Sequence, residues 1–450
     1  MLYIDDTIAA IATAPGKGGI GIVRVSGKNA HDICFKITHQ RVEPRKAYYL
    51  NFYDKTGQCI DKGIVLFFQG PNSYTGEDVV EFQGHGGPII LDILLNEIVS
   101  LGTRIARAGE FTERAYMNDK IDLNQVEAIS DLINASSTQA AKSAIKSLQG
   151  EFSRKIDGLL TELISTRVYI EAAIDFPEEE IDFLADSEIK RKLVNVSESI
   201  RHVFASCQQG VVLREGISIV LAGKPNVGKS SLLNALSGKE SAIVTNIEGT
   251  TRDTLTEYIH IDGVPIHFID TAGLRVSDDI IESEGIKRAI KAIKNADHIL
   301  LVTDITKPFD DTFSFEKKYF DNLPNNIPIT HIYNKVDLSD NKNNNHHHNN
   351  TIYISAKTGL GIEQLKEHIL KSVGYSTTSE GVFTARTRHI DALKACLSHL
   401  NYANEHMNNK DGELIAEELK LAQLELSKIT GTYKADDLLG EIFSNFCIGK

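Results

Sequence analysis

The sequence lacks the features that would place it in a membrane or in an oxidising compartment. No stretch approaches the roughly 20 consecutive apolar residues of a membrane-spanning helix, and the first residues do not combine a basic segment with an apolar run, as a signal peptide would. The five cysteines are scattered and form no CxxC pair, a pattern typical of a reducing compartment rather than of a disulfide framework. We therefore expect a cytoplasmic protein that makes no use of a membrane.

Acidic residues outnumber basic ones, with 61 Asp and Glu against 48 Lys and Arg. The formal net charge of −13 argues against nonspecific coating of nucleic acid, although a local basic patch could still contact RNA. The chain has 450 residues, of which 42% are hydrophobic, and this predicts a soluble globular protein of two or three domains.

The hydrophobic pattern changes along the chain and divides it into four segments. Residues 1–118 combine short strands and turns with some helix, which predicts an α+β domain. Apolar residues then recur at helical spacing over 119–215 and again over 376–450. Residues 216–375 alternate strands with helices. We predict a helical domain into which an α/β domain is inserted, because each half of the helical domain alone would expose an apolar face.

A phosphate-binding loop follows the first strand of the α/β segment. Ile217 to Ala222 is a short apolar run, and it leads into Gly223-Lys-Pro-Asn-Val-Gly-Lys229-Ser230 and a helix-like segment. This is GxxxxGKS between a strand and a helix, where backbone amides can surround a β-phosphate. Lys229 would reach the β- and γ-phosphates and Ser230 would bind Mg²⁺. The loop residues predicted to contact the nucleotide are Asn226, Val227, Gly228, Lys229, Ser230 and Ser231.

Two later motifs identify the base as guanine. Asn334-Lys335-Val-Asp337 follows an apolar strand, and a carboxylate at Asp337 can accept hydrogen bonds from guanine N1–H and from its exocyclic amine. Adenine offers no such pair of donors at that edge. Ser355-Ala356-Lys357, after another strand, would close over the base.

The catalytic centre is predicted from the segments between these motifs. Asp270-Thr271-Ala272-Gly273 would bind Mg²⁺ through water and sense the γ-phosphate, and Thr251 would be a direct Mg²⁺ ligand. The residue after this motif is Leu274, which cannot orient the attacking water, and Glu282 is the nearest substitute. Arg252 and Arg275 are either arginine fingers or solvated residues of the switch segments.

Motifs outside the nucleotide site carry a resemblance to one family. Pro71-Asn-Ser-Tyr-Thr-Gly-Glu-Asp78, Gln83-Gly-His-Gly-Gly-Pro88, Ala108-Gly-Glu-Phe-Thr-Glu-Arg-Ala115 and the tail Phe446-Cys-Ile-Gly-Lys450 resemble the MnmE (TrmE) family of bacterial tRNA modification GTPases over essentially the whole chain. By contrast, Gly16-Lys-Gly-Gly-Ile-Gly21 matches a dinucleotide fingerprint only formally, since a strand follows it where a helix is required.

The resemblance implies further ligands and residue roles. The N-terminal domain would dimerise and bind a 5-formyl- or methylene-tetrahydrofolate through Arg24, Glu81, Lys120 and Lys450. A K⁺ ion would replace an arginine finger, held by Asn226, Thr245, Ile247 and Thr250, and Glu282 would orient water. Thr245 and Thr250 would also border the GTP. The tail residue Cys447 would be either a nucleophile toward uracil or a packing residue.

Two functions are consistent with this sequence. The family implies a GTP-driven enzyme that works with an FAD-dependent MnmG-type partner in a heterotetramer. The complex would add a carboxymethylaminomethyl or aminomethyl group to C5 of the wobble uridine in certain tRNAs. The alternative is an Era/Der-type GTPase that acts as a switch in ribosome assembly. The acidic balance and the Phe446–Lys450 tail favour the tRNA-modifying enzyme.

Overall fold

The computed structural model describes most of the chain, and its contacts divide the chain into two compact units. The described residues are 6–175, 187–237, 256–270, 296–307, 327–339, 350–375, 383–409, 411–431, 446 and 449. The first unit comprises the described parts of Met1–Ser130, Leu148–Phe176 and Gly412–Lys450, and the second those of Asp131–Ser147 and Pro177–Asp411. Among the described helices, none is both long and apolar enough to span a bilayer.

The first unit contains a six-stranded sheet. Its strands are β1 (Ile8–Ile11), β2 (Gly18–Ser26), β3 (Tyr48–Tyr53), β4 (Cys59–Phe68), β5 (Val79–Gly86) and β6 (Arg104–Ile105). They lie in the order β3-β4-β5-β2-β1-β6. All neighbours pair antiparallel except β1 and β6. The strand β2 begins at Gly18, so the sequence prediction that a strand follows the false dinucleotide motif is confirmed.

Two helices cover one face of this sheet. They are α1 (Ala30–Thr38) and α2 (Pro88–Ser100), and their apolar residues share a core with the inward side chains of the strands, such as Val23, Phe52 and Phe82. Because side chains alternate along a strand, Val80 and Phe82 point into this core while Glu81, Gln83 and His85 lie on the opposite face.

Four further helices carry apolar residues of the first unit. They are α3 (Glu110–Met117), α4 (Leu123–Ile133), α6 (Glu151–Asp175) and, near the end of the chain, a helix at Gly412–Thr430. Helix α6 packs along the Gly412–Thr430 helix. Phe446 of the tail packs with Tyr116, Leu123 and Val126. Hydrophobic contacts between residues more than 300 positions apart in sequence therefore hold the tail in this unit.

The second unit contains the α/β sheet that the sequence predicted. Its strands are β7 (Ile217–Ala222), β8 (Thr256–Ile261), β9 (Val264–Asp270), β10 (His298–Asp304), β11 (Ile329–Asn334) and β12 (Thr351–Tyr353). Their order is β12-β11-β10-β7-β9-β8, and only β8 pairs antiparallel. This is the strand order of a Ras-like G domain.

Helices pack on this sheet and beside it. Helices α8 (Lys229–Ser237) and α9 (Ile362–Ser372) contribute Leu233, Leu236, Leu365 and Ile369 to the sheet core. The other helices within the described residues are α5 (Thr138–Leu148), α7 (Ser187–Glu215) and α10 (Thr387–Asn409), and the Gly412–Thr430 helix of the first unit is α11. Helix α7, which precedes the sheet in sequence, packs on α10, which follows it.

Candidate functional site

The phosphate loop has the backbone shape that its glycines permit. Strand β7 is buried, and the loop turns at Gly223 (φ 150°), Asn226 (φ 65°) and Gly228 (φ 100°) before α8 begins at Lys229. A Cβ atom at Gly223 would lie 2.4 Å from the Val302 carbonyl oxygen, and one at Gly228 would lie 2.3 Å from Nδ2 of Asn334. Both positions therefore exclude a side chain for conformational and for steric reasons.

The lysine and serines of the loop stand at the helix N-terminus. The Lys229 ammonium donates to the carbonyl oxygens of Gly223 (2.8 Å) and Lys224 (3.2 Å), so it lies across the loop that would surround a phosphate. Ser230 and Ser231 are exposed in the first turn of α8. A helix N-terminus with an adjacent ammonium favours a polyanion, and a hydroxyl oxygen there suits Mg²⁺.

Asn334 connects the phosphate loop to the two base-recognition segments. Its Nδ2 donates to the Val227 carbonyl oxygen (2.9 Å), and its Oδ1 accepts from the backbone amides of Lys335 (2.8 Å) and Ala356 (3.0 Å). The side chain is 2% exposed. Its amide therefore satisfies buried backbone groups on three segments and fixes their relative positions.

The Asp337 carboxylate, three residues after Asn334, is exposed. Its Oδ1 accepts a hydrogen bond of 2.6 Å from the buried Ser355 hydroxyl, and that hydroxyl also accepts from the Thr358 backbone amide. The Ser355 hydroxyl thus fixes one carboxylate oxygen, and the carboxylate is oriented to accept hydrogen bonds from a ligand. Lys357 lies in the exposed turn that follows Ser355 and Ala356.

The structure adds Asp304, which the sequence analysis did not identify. Asp304 ends β10 beside Asn334 of β11, and its carboxylate accepts from the Lys335 ammonium (2.7 Å) and the Thr306 hydroxyl (2.7 Å). Burial alone would raise the pKa of Asp304, but these hydrogen bonds outweigh burial and hold its pKa below the ordinary value. Lys335 also donates to the Asn226 carbonyl oxygen. Asp304 therefore positions a lysine that contacts the phosphate loop.

Several predicted residues lie outside the described part of the chain. Strand β9 ends at Asp270. Because β9 is parallel to β7, its carboxyl end lies at the same edge of the sheet as the phosphate loop, which follows β7. The predicted residues outside the described ranges are Thr245, Ile247, Thr250, Thr251, Arg252, Thr271, Ala272, Gly273, Arg275, Glu282, Cys447 and Lys450.

The predicted folate residues belong to the first unit. Arg24 and Glu81 are cross-strand partners on β2 and β5, and the guanidinium donates to Glu81 Oε1 at 2.9 and 3.0 Å. The rings of Tyr74 and Phe111, which sequence reasoning missed, each lie 5.7 Å from the guanidinium carbon.

Lys120 lies near the same loop as Tyr74. Its ammonium donates to the Pro71 carbonyl oxygen (2.8 Å), and Pro71 and Tyr74 both belong to the loop between β4 and β5. Gly449 of the tail lies against β1, where an added Cβ would be 2.2 Å from the Ile11 carbonyl oxygen. Three of the predicted folate residues are therefore described by the structure. Arg24 and Glu81 lie on the strand pair β2 and β5, and Lys120 contacts the loop between β4 and β5.

The strand order, the phosphate loop and the Asn334–Asp337 constellation define a P-loop protein that binds guanine nucleotides. Two family models match the chain: the MnmE helical domain over residues 123–447 and the N-terminus of GTP-binding protein TrmE over residues 7–120. The chain belongs to the MnmE family of tRNA modification GTPases.

Curated relatives match over their full length. The tRNA modification GTPase MnmE of Francisella philomiragia is 55% identical over 453 residues, covering 100% of both chains. The protein of the same name from Francisella tularensis subsp. novicida is also 55% identical with the same coverage.

Solved structures match over shorter regions. The G domain of the Thermotoga maritima FeoB iron transporter is 28% identical, with a TM-score of 0.27, covering 35% of this chain and 98% of that one. Era from Aquifex aeolicus, bound to GDP and AlF4−, is 26% identical with a TM-score of 0.28, covering 41% and 66%.

Proposed function

We propose that this protein is a GTP-hydrolysing tRNA modification enzyme. Together with an FAD-dependent partner, it adds a carboxymethylaminomethyl or aminomethyl group to C5 of the wobble uridine in certain tRNAs. The observation that supports this most directly is the match of 55% identity over the whole chain to enzymes named tRNA modification GTPase MnmE. The guanine-recognition geometry at Asn334 and Asp337 supports the GTPase part independently.

The cofactors proposed for the nucleotide site are Mg²⁺ and K⁺. Ser230 presents a hydroxyl oxygen at the start of α8, and an Mg²⁺ ion there would offset the charge of the phosphates. Thr251 would be a second Mg²⁺ ligand. The exposed side chain of Asn226 stands in the phosphate loop, where its amide oxygen would help to hold K⁺ together with Thr245, Ile247 and Thr250. The ion would stabilise negative charge in the transition state of hydrolysis.

The N-terminal unit fits a folate one-carbon carrier. Arg24 and Glu81 provide a guanidinium and a carboxylate on one sheet face, beside the aromatic rings of Tyr74 and Phe111. A pterin ring offers hydrogen-bond donors for a carboxylate and a flat surface for aromatic and guanidinium groups. Lys120 and Lys450 would supply positive charge to the glutamate tail of the carrier.

The proposed assembly has several components. tRNA is the substrate, two copies dimerise through residues 1–118, and an MnmG-type partner completes a heterotetramer in the cytoplasm. The GTP-driven switch of residues 216–375 would control the complex. The helical domain would comprise residues 119–215 and 376–450. GTP hydrolysis then regulates base chemistry that takes place elsewhere in the complex.

Nucleoside mass spectrometry tests the proposal. tRNA from cells that lack the protein should lose the carboxymethylaminomethyl and aminomethyl derivatives of wobble uridine. The wild-type gene should restore them, and a variant with Asp337→Asn should restore them poorly. An unchanged uridine profile in the deletion strain would refute the modifying role and would favour a switch in ribosome assembly.

A further inference from the structure

One hydroxyl group joins helix α5 to the turn between β8 and β9. The Ser137 side chain, just before α5, donates to the Gly263 carbonyl oxygen at 2.7 Å. The same oxygen accepts the backbone amide of Ala140 at 3.1 Å, so Ser137 also caps the helix. A Cβ atom on Gly263 would lie 3.0 Å from the Cβ of Gln139. The first turn of α5 is therefore in direct contact with the hairpin turn.

The hairpin leads at its other end to both segments that are predicted to contact Mg²⁺ and the γ-phosphate. Thr251, outside the described residues, lies in the chain shortly before β8, and β9 ends at Asp270. Between that end and the turn at Gly263, the two strands pair from Thr256 and Ile269 to Ile261 and Val264. This paired stretch is about 17 Å long. A displacement of either predicted switch segment along the strands would therefore reach the turn, because paired strands move together.

The segment that contains α5 is anchored elsewhere by ion pairs. Residues 131–147 group with the second unit, although the chain on either side groups with the first. The Asp131 side chain, which is 9% exposed, accepts from Arg214 at 2.9 Å and from Arg386 at 3.0 Å. Arg214 lies in the last turn of α7, before the nucleotide-binding sheet, and Arg386 lies just before α10. Asp131 is thus held by the chain on both sides of the sheet.

The attachments of this segment differ in strength. At its far end the Ser147 hydroxyl oxygen, which is buried, accepts the backbone amide and the hydroxyl of Thr384 at 3.2 and 3.0 Å. Breaking such buried bonds, or the ion pairs of Asp131, leaves polar groups unsatisfied. The bond from Ser137 to Gly263 is half-buried and joins neutral groups, and such a bond shifts an equilibrium by up to about tenfold. It is therefore the most easily broken of these contacts.

We propose that the Ser137–Gly263 hydrogen bond transmits the nucleotide state of the G domain to helix α5. This inference rests on the GTP-driven switch of the proposed function. When GTP reorders the predicted switch segments, the hairpin turn shifts, and the bond is present in one nucleotide state and broken in the other. The coupling is reciprocal. A partner that displaces residues 131–147 would therefore change the relative affinities for GTP and GDP by the same factor.

The decisive variant is Ser137→Asp, because it separates the two roles of the hydroxyl. A carboxylate still accepts the Ala140 amide and is a favourable N-cap at the positive end of a helix. It has no proton to donate to the Gly263 carbonyl oxygen. Ser137→Thr is the matched control, since it keeps both the donor and the acceptor.

Hydrogen exchange of the full-length protein, with GDP and with a non-hydrolysable GTP analogue, measures the coupling. In the wild type, amide protection should differ between the two nucleotides both in residues 256–270 and in α5, by up to about tenfold in α5. Ser137→Asp should keep the difference in the hairpin and lose it in α5. Ser137→Thr should keep both differences.

Two results would overturn this inference alone. One is a wild-type hairpin that responds to the nucleotide while α5 does not, and the other is a Ser137→Asp variant that keeps the wild-type difference in α5. A wild-type protein in which neither the hairpin nor α5 responds would refute the GTP-driven switch itself, and this inference with it.

Discussion

Base specificity depends on one carboxylate, and Asp337→Asn tests it. The variant replaces an acceptor that the Ser355 hydroxyl orients at 2.6 Å with an amide that presents a donor to guanine. Hydrogen bonds to charged groups contribute about 1.5–3 kcal/mol each, so GTP affinity should fall by roughly two orders of magnitude or more. Xanthosine triphosphate should bind better than GTP, because its 2-oxo group accepts the new donor.

Calorimetric titration with both nucleotides measures this change. Asp262→Asn is the matched control: it removes the same charge at a hairpin turn, where the positive φ of 50° suits asparagine. It should bind GTP like the wild type. Unchanged GTP affinity in Asp337→Asn would refute the assignment of Asp337 to the base.

At the residue scale, the sequence predicted the groups that a short motif contains and missed those that depend on strand register. Asn334 and Asp337 were identified because they lie in one motif whose chemistry is local. Asp304 lies 30 positions before Asn334, and only the parallel register of β10 and β11 places them side by side. A signal was present: Asp304 is an acidic residue at the carboxyl end of an apolar strand in an α/β segment.

In the first unit too, the sequence did not reveal which residues the fold brings together. Arg24 and Glu81 were predicted from the family resemblance to line a folate pocket, and in the structure their side chains contact each other. Their aromatic neighbours Tyr74 and Phe111 come from a loop and a helix that the fold brings to the strand pair. No periodic pattern in the sequence encodes that proximity.

At the scale of elements, two helical glycines should respond oppositely to alanine. Gly158 in α6 has open space around its Cβ position, so Gly158→Ala should stabilise the protein by up to about 1 kcal/mol through helix propensity. In α7, a Cβ at Gly210 would lie 1.9 Å from the Phe383 carbonyl oxygen. Gly210→Ala should therefore destabilise by about 1–3 kcal/mol. Urea unfolding measures both, and a stabilising Gly210→Ala would contradict the close approach of α7 to residue 383.

A chain of hydrogen bonds joins β10, β11 and α9. His298 Nε2 and His368 Nε2 each lie 2.8 Å from the Thr330 hydroxyl, and His298 Nδ1 lies 3.0 Å from the Ser372 hydroxyl. Ser372 donates to the Ile369 carbonyl oxygen, so it accepts from His298. Thr330 has one proton, which it donates to His298 while it accepts from His368. This pattern requires a neutral His298 ring, because its Nε2 must accept the hydrogen bond from Thr330.

This chain predicts lower stability in mild acid. Burial, with the nearby His368, lowers the pKa of His298 from 6.5 to about 4. The unfolded chain therefore binds this proton first, and stability should fall as pH drops from 6.5 toward 4, by about 3 kcal/mol in total. Burial likewise lowers the pKa of His368, which acts in the same direction.

Urea midpoints at pH 7 and pH 5 measure the effect. His298→Gln should be less stable than the wild type at pH 7 but should lose less stability between the two pH values. His202→Gln, at an exposed position on α7, should keep the wild-type difference. Equal pH differences in all three proteins would show that His298 does not cause the acid sensitivity.

The strands were less predictable than the helices for a physical reason. Apolar residues recur at helical spacing over Pro88–Leu101, which predicts α2 (Pro88–Ser100) to within one residue. Strand β5 was not predicted, although the Gln83–Pro88 motif begins within it, because its Gly84 and Gly86 lower strand propensity. The structure gives the reason for Gly84, which makes room for Asp61 of the neighbouring strand.

At the scale of the whole molecule, helices from both ends of the chain pack together. Helix α6 packs on α11 in the first unit, and α7 packs on α10 in the second. Each pair joins a helix that precedes the nucleotide-binding sheet to one that follows it, which agrees with insertion of the α/β segment between helices. The domain boundaries at 118, 215 and 375 stay predictions.

The potassium prediction concerns GTP hydrolysis by the whole molecule, because the family resemblance implies a K⁺ ion beside the phosphate loop. Asn226 would be its side-chain ligand from the phosphate loop. Since Asn226 has φ 65°, alanine there would add backbone strain of about 1–2 kcal/mol. Asn226→Gly removes the amide without that strain and is therefore the sharper variant.

The wild type should hydrolyse GTP faster in K⁺ than in Na⁺ at equal ionic strength, because K⁺ has the size and weak hydration that a site of amide and carbonyl oxygens requires. Asn226→Gly should lose most of this difference while its GTP affinity changes little, since it leaves the predicted nucleotide contacts of Lys229 and Asp337 in place. Steady-state phosphate release in the two salts gives the ratio.

Pro225→Ala, a neighbouring change in the same loop that removes no oxygen ligand, should keep the wild-type preference. Equal wild-type rates in both salts would exclude the potassium site. An Asn226→Gly variant that keeps the K⁺ preference would place the ligand on another residue.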